Sequence, residues 1–300
     1  MTDRTCREIR EEAWRLLWNG KWVWKLLGVW AIGYIFADVV QSLVSAGFRI
    51  AGVWDWQRYF MVDALNKAVN NPELSAQLEQ FGLNDIDRVL TVPDINEPGV
   101  SAAITGGTVF KMMIGWWTAA FSVYALNSAW LSAVRGEGEW FKRAMGAFRH
   151  FSSMAWLYIL WWGAVLGGLI LFIAPGWYLS YAFQQAFFLK TDNPDWSAVK
   201  CLTESNRMMK GHKRKAFALD WSYYKSVTWM LVPFLVAEFV IFPVVFLPVP
   251  LWATLLLPPL ALLLVLLGIF LCWFTHEYIS VGQAVFYRDL RKSLVETSSN

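Results

Sequence analysis

The chain has 300 residues, of which 57% are hydrophobic and only 16% are charged, and its net charge is +3. Average soluble domains carry roughly 25% charged residues, so a water-soluble fold could not bury this much apolar surface. The composition therefore excludes an ordinary soluble domain and indicates a protein whose solvent is the lipid bilayer. Its 20 Trp and 10 Tyr residues agree with this, because amphipathic rings favour the membrane–water interface.

The N-terminal segment predicts an amphipathic helix over residues 5–18. Thr5 and Glu8 fit a capping box, in which each side chain binds the backbone N–H of the other residue. Apolar residues recur at helical spacing on one side of this helix: Cys6, Ile9, Ala13, Leu16 and Leu17. A first apolar span follows over about residues 22–47. Its charged leader is too long for a signal peptide, so we expect an uncleaved membrane helix.

The next segment, residues 48–107, is polar and acidic. Between Ala51 and Val100 it holds eight acidic and three basic residues. This composition predicts a loop outside the membrane, in front of a second span over about residues 109–133. A basic stretch follows that span directly.

Residues 151–189 are apolar apart from a break at Ala174–Trp177. Two spans of roughly 20 residues would fill this length completely, and the sequence leaves open whether it folds as one span or two. Gly163 and Gly167 form one GxxxG pattern, which is typical of close helix packing.

Two further spans are predicted over about residues 227–245 and 251–274, and the second of them continues as a helix to about Leu294. The sequence therefore predicts an all-α polytopic membrane protein with about six transmembrane helices. We expect residues 1–300 to form a single membrane domain, braced by the N-terminal amphipathic helix and a second amphipathic helix in mid-chain.

The distribution of charge predicts the orientation of these helices. With six crossings, 20 Lys and Arg residues fall on the side of the termini and only four on the other. The positive-inside rule then places both termini in the cytoplasm and residues 48–107 outside. The cysteines, which are Cys6, Cys201 and Cys272, would face the reducing cytoplasm and have no metal-binding spacing.

The mid-chain helix is predicted over residues 194–210, within the stretch DNPDWSAVKCLTESNRMMKGHKRK. Asn193 suits the N-cap, Pro194 the first helical position and Gly211 the position after the end. One apolar and one charged face predict an interfacial helix at the cytoplasmic surface. We expect its basic end to bind anionic lipid headgroups through five residues: Lys210, His212, Lys213, Arg214 and Lys215. A docking face for a cytosolic partner is an alternative, whereas nucleic-acid binding has no supporting fold signature.

Three stretches resemble a bacterial integral-membrane family of unknown function, domain-of-unknown-function family 975. They are REIREEAWRLLWNGKWVWKLL (7–27), IAPGWYLSYAFQQAFFLKTDNPDWSAVKCLTESNRMMKGHKRKAFALDW (173–221) and YISVGQAVFYRDLR (278–291). The resemblance implies a six-helix protein of the bacterial cytoplasmic membrane, and it brings no activity or catalytic residues. The acidic insert at 48–107 departs from the family pattern. A more distant likeness links the chain to the membrane domain fused to some glycerophosphodiester phosphodiesterases.

Five charged residues fall in or near the predicted spans, where charges are functional candidates by default: Asp38, Lys111, Asp220, Lys225 and Glu238. An ion pair between Lys111 and either Asp38 or Glu238 would have a structural role. A proton or cation path would need more polar residues along it, and the last two predicted spans are almost purely aliphatic.

Histidine-based catalysis is a further hypothesis, because His150, His212, His276 and Glu277 all lie near the inner ends of spans. Zinc accepts these ligand types, but HExxH spacing is absent. The sequence also lacks GxSxG, P-loop and GxGxxG motifs. We therefore expect no enzymatic activity, no metal and no cofactor.

The resulting expectation is a non-enzymatic scaffold, regulator or partner-binding protein of the bacterial envelope. Its expected partners are membrane lipids, a protein at the external loop and further copies of the chain, with no nucleic acid. A transporter or channel that uses the intramembrane charges is one alternative. A lipid-modifying membrane enzyme, with polar groups converging near the three histidines, is another.

Overall fold

In the computed structural model, every described secondary-structure element is an α-helix. The structure describes residues 4–19, 22–69, 93, 97, 99–246 and 251–299. Within them the helices are α1 (Cys6–Asn19), α2 (Trp22–Ile50), α3 (Trp56–Val69), α4 (Val100–Arg135), α5 (Trp140–Met145), α6 (Ala147–Leu171), α7 (Ile173–Phe183), α8 (Ala186–Asp192), α9 (Ala198–Met208), α10 (Lys213–Ser222), α11 (Tyr224–Phe246) and α12 (Leu251–Ser299).

Five helical segments of the described chain are long and apolar enough to cross a membrane. They are Trp22–Phe48, Val100–Arg135, Ala147–Leu171, Lys213–Phe242 and Leu255–Glu296. The chain is thus an all-α, multi-pass membrane protein, as the sequence predicts. Five of the six predicted spans appear as continuous helices.

The fourth predicted span is divided into two shorter helices. Helix α6 ends at Leu171, Phe172 adopts an extended conformation, and α7 begins directly after it. The break therefore lies just before the predicted Ala174–Trp177, because Pro175 is tolerated in the first turn of a helix. Helix α7 has 11 residues, a length of about 16 Å, or roughly half of the hydrocarbon core. A turn at Gln184–Gln185 separates it from α8.

Helices α6 and α7 pack closely at glycines, but not at the predicted pair. A Cβ atom on Gly168 would lie 2.8 Å from the Cα atom of Gly176, so the two backbones are in contact. In the part of the chain that the structure describes, no atom lies within 4 Å of a Cβ atom built on Gly163 or Gly167. The prediction that Gly163 and Gly167 form the close helix contact is therefore wrong. Which glycines of α6 face another helix depends on where α7 folds back against α6.

Helix α1 begins at the predicted capping box and buries part of the predicted apolar stripe. The Thr5 N–H donates to Glu8 Oε2 at 2.9 Å, and the Glu8 N–H donates to Thr5 Oγ1 at 3.3 Å. Ile9, Ala13 and Leu17 are buried where α1 packs against α10 and α12. The helix is thus fastened to the helical bundle by its apolar face.

Helices α1, α9 and α11 all pack against α12. Its 49 residues extend for about 73 Å, so the helix continues well beyond the length that a bilayer requires. The predicted apolar stripe is buried at Val281, Ala284 and Val285. This extension brings polar side chains of α12 next to α1, α4 and α8.

The described residues fall into two compact units. The larger unit combines Met1–Gly33 with Ala120–Asn300, and the smaller unit is Tyr34–Ala119. In the smaller unit α2 continues to Ile50, and α4 begins at Val100, earlier than predicted. Residues 70–92 of the predicted acidic loop lie outside the described residues, and the external location of the loop stays a prediction.

Candidate functional site

Asp192, the last residue of α8, is the centre of a buried ion-pair cluster. Arg135 at the end of α4 donates from both Nη atoms, one 2.8 Å from Oδ1 and the other 2.7 Å from Oδ2. From α12, Tyr287 donates its hydroxyl to Oδ2 at 2.8 Å, and Arg291 donates to the same oxygen. The Asp192 side chain is only 6% exposed. This Asp192 cluster joins three helices through charge-assisted bonds, the strongest class of hydrogen bond.

A second cluster fastens α1 to α12 around Glu12. Arg288 lies 2.8 Å from Glu12 Oε1, and Arg4 lies 2.5 Å from Glu12 Oε2. Asp289 completes this Glu12 cluster by accepting from Arg4 at 2.9 Å and from Arg288 at 3.0 Å. Two cations and two carboxylates therefore link Arg4 and Glu12, near the N-terminus, to Arg288 and Asp289 in the C-terminal half of α12.

The Glu12 cluster makes the docking of α1 sensitive to acid. Burial opposes ionisation of Glu12, but hydrogen bonds from Arg288 and Arg4 outweigh it and lower the pKa of Glu12. A carboxyl with a lowered folded-state pKa stabilises the fold above its ordinary pKa of about 4.3, and this contribution is lost as the pH falls through the folded-state pKa. We expect hydrogen–deuterium exchange of residues 6–19, corrected for intrinsic rates, to rise below about pH 4.

The variants Glu12→Gln and Glu11→Gln test this expectation. Glu12→Gln should raise exchange in α1 already at pH 7 and reduce its dependence on pH, because the ionised acceptor is gone. Within the described residues, the ion-pair partner of Glu11 is the exposed Arg7 at 2.8 Å, so Glu11→Gln should behave like the original chain. Equal exchange in both variants would contradict the assigned role of Glu12.

Sequence reasoning singled out none of the Asp192 or Glu12 cluster residues. One signal was available, since the three stretches that carry the family resemblance contain Glu12, Asp192 and Tyr287 respectively. The structure brings these stretches together although they are up to 276 residues apart in the chain. Two separate clusters in the larger unit thus join the first and the second stretch to the third.

The loop after Asp192 is held by a buried lysine. Lys190 is 2% exposed, and its ammonium group donates to the carbonyl oxygens of Pro194 at 2.7 Å and Trp196 at 2.5 Å. Burial lowers the pKa of Lys190. The Asn193 side chain donates back to the Leu189 carbonyl, so Asn193 ends α8 and does not start the next helix.

Helix α9 therefore begins later than predicted, with Ser197 as its N-cap. The Ser197 hydroxyl accepts from the Lys200 N–H at 3.2 Å. Gly211 follows the end of α9 with φ +78°, the left-handed conformation that suits glycine after a helix. The buried face of α9 includes Cys201 and Met208, whereas Val199 of the predicted apolar face is 63% exposed. Packing against α6, α7 and α8 determines this face.

A cavity of about 380 Å³ lies between α7 and α10, beside part of the predicted headgroup-binding segment. We call it the aromatic–basic cleft, and its lining is Trp177, Tyr178, Tyr181, Lys213, Arg214 and Phe217. The Lys213 ammonium lies 3.8 Å from the Tyr178 ring centroid and 2.6 Å from the Tyr178 hydroxyl. Arg214 is exposed and has no ion pair or hydrogen bond within the described part of the chain.

The other predicted headgroup-binding residues lie around this cleft. Lys210 is exposed in the turn after α9, and Lys215 lies in the first turn of α10. His212 precedes α10, and burial, together with the neighbouring Lys215, lowers the pKa of His212. His212 is therefore neutral at pH 7 and supplies no charge to an anionic ligand.

Lys111 has partners other than those the sequence indicated. In the smaller unit its ammonium group lies 3.5 Å from Asp55 Oδ2 and 3.1 Å from Gln57 Oε1. Asp55 also accepts from the Arg58 N–H at 2.9 Å and so caps α3. Lys111 thus anchors the start of α3 to α4. Asp38 is exposed and makes no hydrogen bond or ion pair with described residues.

The remaining intramembrane charges lie in the larger unit. Asp220 accepts from Gln184 Nε2 at 3.3 Å and from Gln283 Nε2 at 3.2 Å. Lys225 is exposed beside the ring of Tyr224, and Glu238 is exposed without a hydrogen bond or ion pair among the residues that the structure covers. The predicted charges are thus not gathered into one site.

The three histidines lie in different surroundings. His150 stacks on Tyr124, with a ring-centroid distance of 5.8 Å. His276 lies 3.5 Å from Glu277, whose carboxylate accepts from the Trp130 indole at 2.6 Å. Across the described ranges, no group of three or more His, Cys, Asp or Glu residues is placed to hold a metal ion.

Comparison with known proteins identifies the family of this chain. The model of the family described as "Protein of unknown function (DUF975)" matches residues 110–293. No curated protein and no solved structure is significantly similar to the chain, so the distant likeness to glycerophosphodiester phosphodiesterases has no support. The match contains all of the Asp192 cluster and the aromatic–basic cleft. The chain therefore belongs to the DUF975 family of membrane proteins of unknown function.

Proposed function

We propose that this protein is a non-enzymatic scaffold or partner-binding protein of the bacterial envelope that recognises anionic lipid headgroups at the cytoplasmic face. The observation that carries the proposal is the aromatic–basic cleft. It combines two cationic side chains, Lys213 and Arg214, with the exposed rings of Trp177, Tyr178 and Phe217.

The chemistry of the cleft matches a lipid headgroup in two respects. Exposed Trp and Tyr rings are favourable at the depth where acyl chains give way to headgroups. Lys213 is oriented by Tyr178 and by Asn206 Oδ1 at 3.3 Å, and Arg214 offers an unused guanidinium group. Together they place two positive charges beside an apolar surface, which suits a phosphate attached to an acyl chain.

The partner-binding part of the proposal is supported by Glu238. This carboxylate lies on α11 between the exposed apolar side chains of Leu235, Phe239 and Phe242. Charged groups at membrane depth normally face a protein interior or pair with another group. A second membrane helix that brings a donor to Glu238 would satisfy this requirement. The transport alternative has less support, because Lys111 is already paired with Asp55.

We expect the double variant Lys213→Gln/Arg214→Gln to bind phosphatidylglycerol about 10- to 30-fold more weakly than the original chain. Each basic residue near an anionic surface contributes about 1 kcal/mol, and 1.4 kcal/mol corresponds to a factor of ten. Native mass spectrometry of the detergent-purified chain can measure the retained lipid, with phosphatidylcholine as the neutral reference.

The matched control is Lys142→Gln/Lys200→Gln, which removes two exposed lysines that do not line the cleft. The control should retain the lipid preference of the original chain. If both double variants lose binding equally, the effect is one of net charge and the cleft is not the site.

A further inference from the structure

A separate cavity of about 300 Å³ lies beside Asp192, and we call it the Tyr124 cavity. Its polar lining comes from α4, α5, α6 and α8: Tyr124, Ser128, Arg143, His150, Thr191 and Asp192. This volume is at the lower end of the range for small-molecule sites. All of its lining residues belong to the larger unit, and none of them lines the aromatic–basic cleft.

Two aromatic side chains bring unused polar groups to the Tyr124 cavity. Tyr124 is only 5% exposed, yet its hydroxyl has no hydrogen-bond partner within the described residues. The His150 ring stacks on Tyr124, and its nitrogens likewise have no partner in the described part of the chain. Both side chains line the cavity and carry a donor group that no described residue uses, so the cavity is suited to a ligand that accepts hydrogen bonds from them.

The charges around the cavity favour an anion. Asp192 is already neutralised by Arg135 and Arg291. Arg143 pairs with Glu137 at 2.6 Å through one nitrogen, and its guanidinium group carries further N–H donors. The groups still available to a ligand are therefore mainly donors, and a cationic ligand would find no free carboxylate.

The two hydroxyls in the lining add a second requirement. Ser128 donates to the Tyr124 carbonyl and Thr191 donates to the Phe187 carbonyl, each at 2.9 Å. Since their protons are engaged, these oxygens can only accept from a ligand. A ligand that carries its own hydroxyl groups beside an anionic group would satisfy both sets of partners.

We propose that the Tyr124 cavity binds the phosphate group of a hydroxylated phosphate ester. Arg143, Tyr124 and His150 donate to the phosphate oxygens, and Ser128 and Thr191 accept from the hydroxyls of the ester. Arginine suits this role because its planar donors match phosphate oxygens in pairs. The chemistry is shared by a soluble polyol phosphate and by the glycerol phosphate headgroup of a membrane lipid.

Histidine-labelled NMR tests this proposal on the full chain in phosphatidylcholine nanodiscs. Because the chain has only three histidines, each ring can be followed separately. Glycerol 3-phosphate and inorganic phosphate are titrated as soluble probes, and phosphatidylglycerol is added to the nanodisc in a separate series. We expect the His150 signal to move and saturate, while the His276 signal stays in place. Saturation by glycerol 3-phosphate assigns a soluble ester, and saturation by phosphatidylglycerol alone assigns a lipid headgroup.

Three variants locate the binding. Arg143→Gln should weaken it at least tenfold and Tyr124→Phe about threefold, whereas Lys142→Gln on the same helix should leave it unchanged. Tyr124→Phe removes one oxygen and retains the packing, so loss of folding is not expected to obscure the result. The proposal is overturned if no probe saturates the His150 signal, or if Arg143→Gln binds as tightly as the original chain. A response at His212 alone would also overturn it, because it would place the phosphate near the aromatic–basic cleft.

Discussion

Replacing Asp192 with Ala is expected to lower the free energy of unfolding by about 3 kcal/mol. The substitution leaves Arg135 without its carboxylate and removes the acceptor of the Tyr287 hydroxyl. Breaking a buried ion pair on one side typically costs about 3–5 kcal/mol, because the remaining charge is uncompensated. The lower value applies here since Arg291 is half exposed and can regain water. Thermal unfolding in mild detergent should then occur roughly 6–12 °C lower.

Asp195→Ala is the matched control for this substitution. Asp195 lies three residues further along the chain, is exposed and makes no hydrogen bond or ion pair with the described residues of the cluster. We expect it to change the melting temperature by no more than about 1–2 °C, as most surface substitutions do. Similar melting temperatures for the two variants would mean that the Asp192 cluster does not hold α4, α8 and α12 together.

The second large effect is expected at the contact between α6 and α7. A Cβ atom on Gly176 would lie 2.6 Å from the backbone nitrogen of Leu169, and one on Gly168 would lie 2.8 Å from the Cα atom of Gly176. Because these neighbours are backbone atoms, the helices must move apart to admit a methyl group. We expect Gly168→Ala and Gly176→Ala each to cost about 1–3 kcal/mol in thermal unfolding experiments.

Gly163 and Gly167, the residues of the predicted GxxxG pattern, provide the control, because substitution there is not expected to lower the stability. Ala at Gly163 or Gly167 would meet no atom of the described residues within 4 Å, and Ala is favoured over Gly in a helix by up to about 1 kcal/mol. These variants should be neutral or slightly more stable. If instead Gly163→Ala destabilised the protein and Gly168→Ala did not, the described packing of α6 on α7 would be wrong.

Several properties of the protein follow from the sequence alone. Long apolar segments can lower their free energy only in a bilayer or a large core, so length and hydropathy predict the spanning helices. The capping box at Thr5 and Glu8 is equally local, because its partners are three residues apart. The family resemblance was likewise readable from short stretches, and its match over residues 110–293 confirms it.

Only the tertiary structure determined how the charged residues are used. The sequence marked Lys111 as a partner of Asp38 or Glu238, but the fold of the smaller unit places Asp55 next to it. No local pattern paired Asp192 with Arg135 and Tyr287, which are 57 and 95 residues away in the chain. Hydropathy records the local transfer free energy of each segment, whereas an ion pair depends on which distant helices pack together. The amino-acid composition alone therefore indicated that the protein lies in a membrane. The packing of α1, α4, α8 and α12 determined where the polar sites of the protein lie.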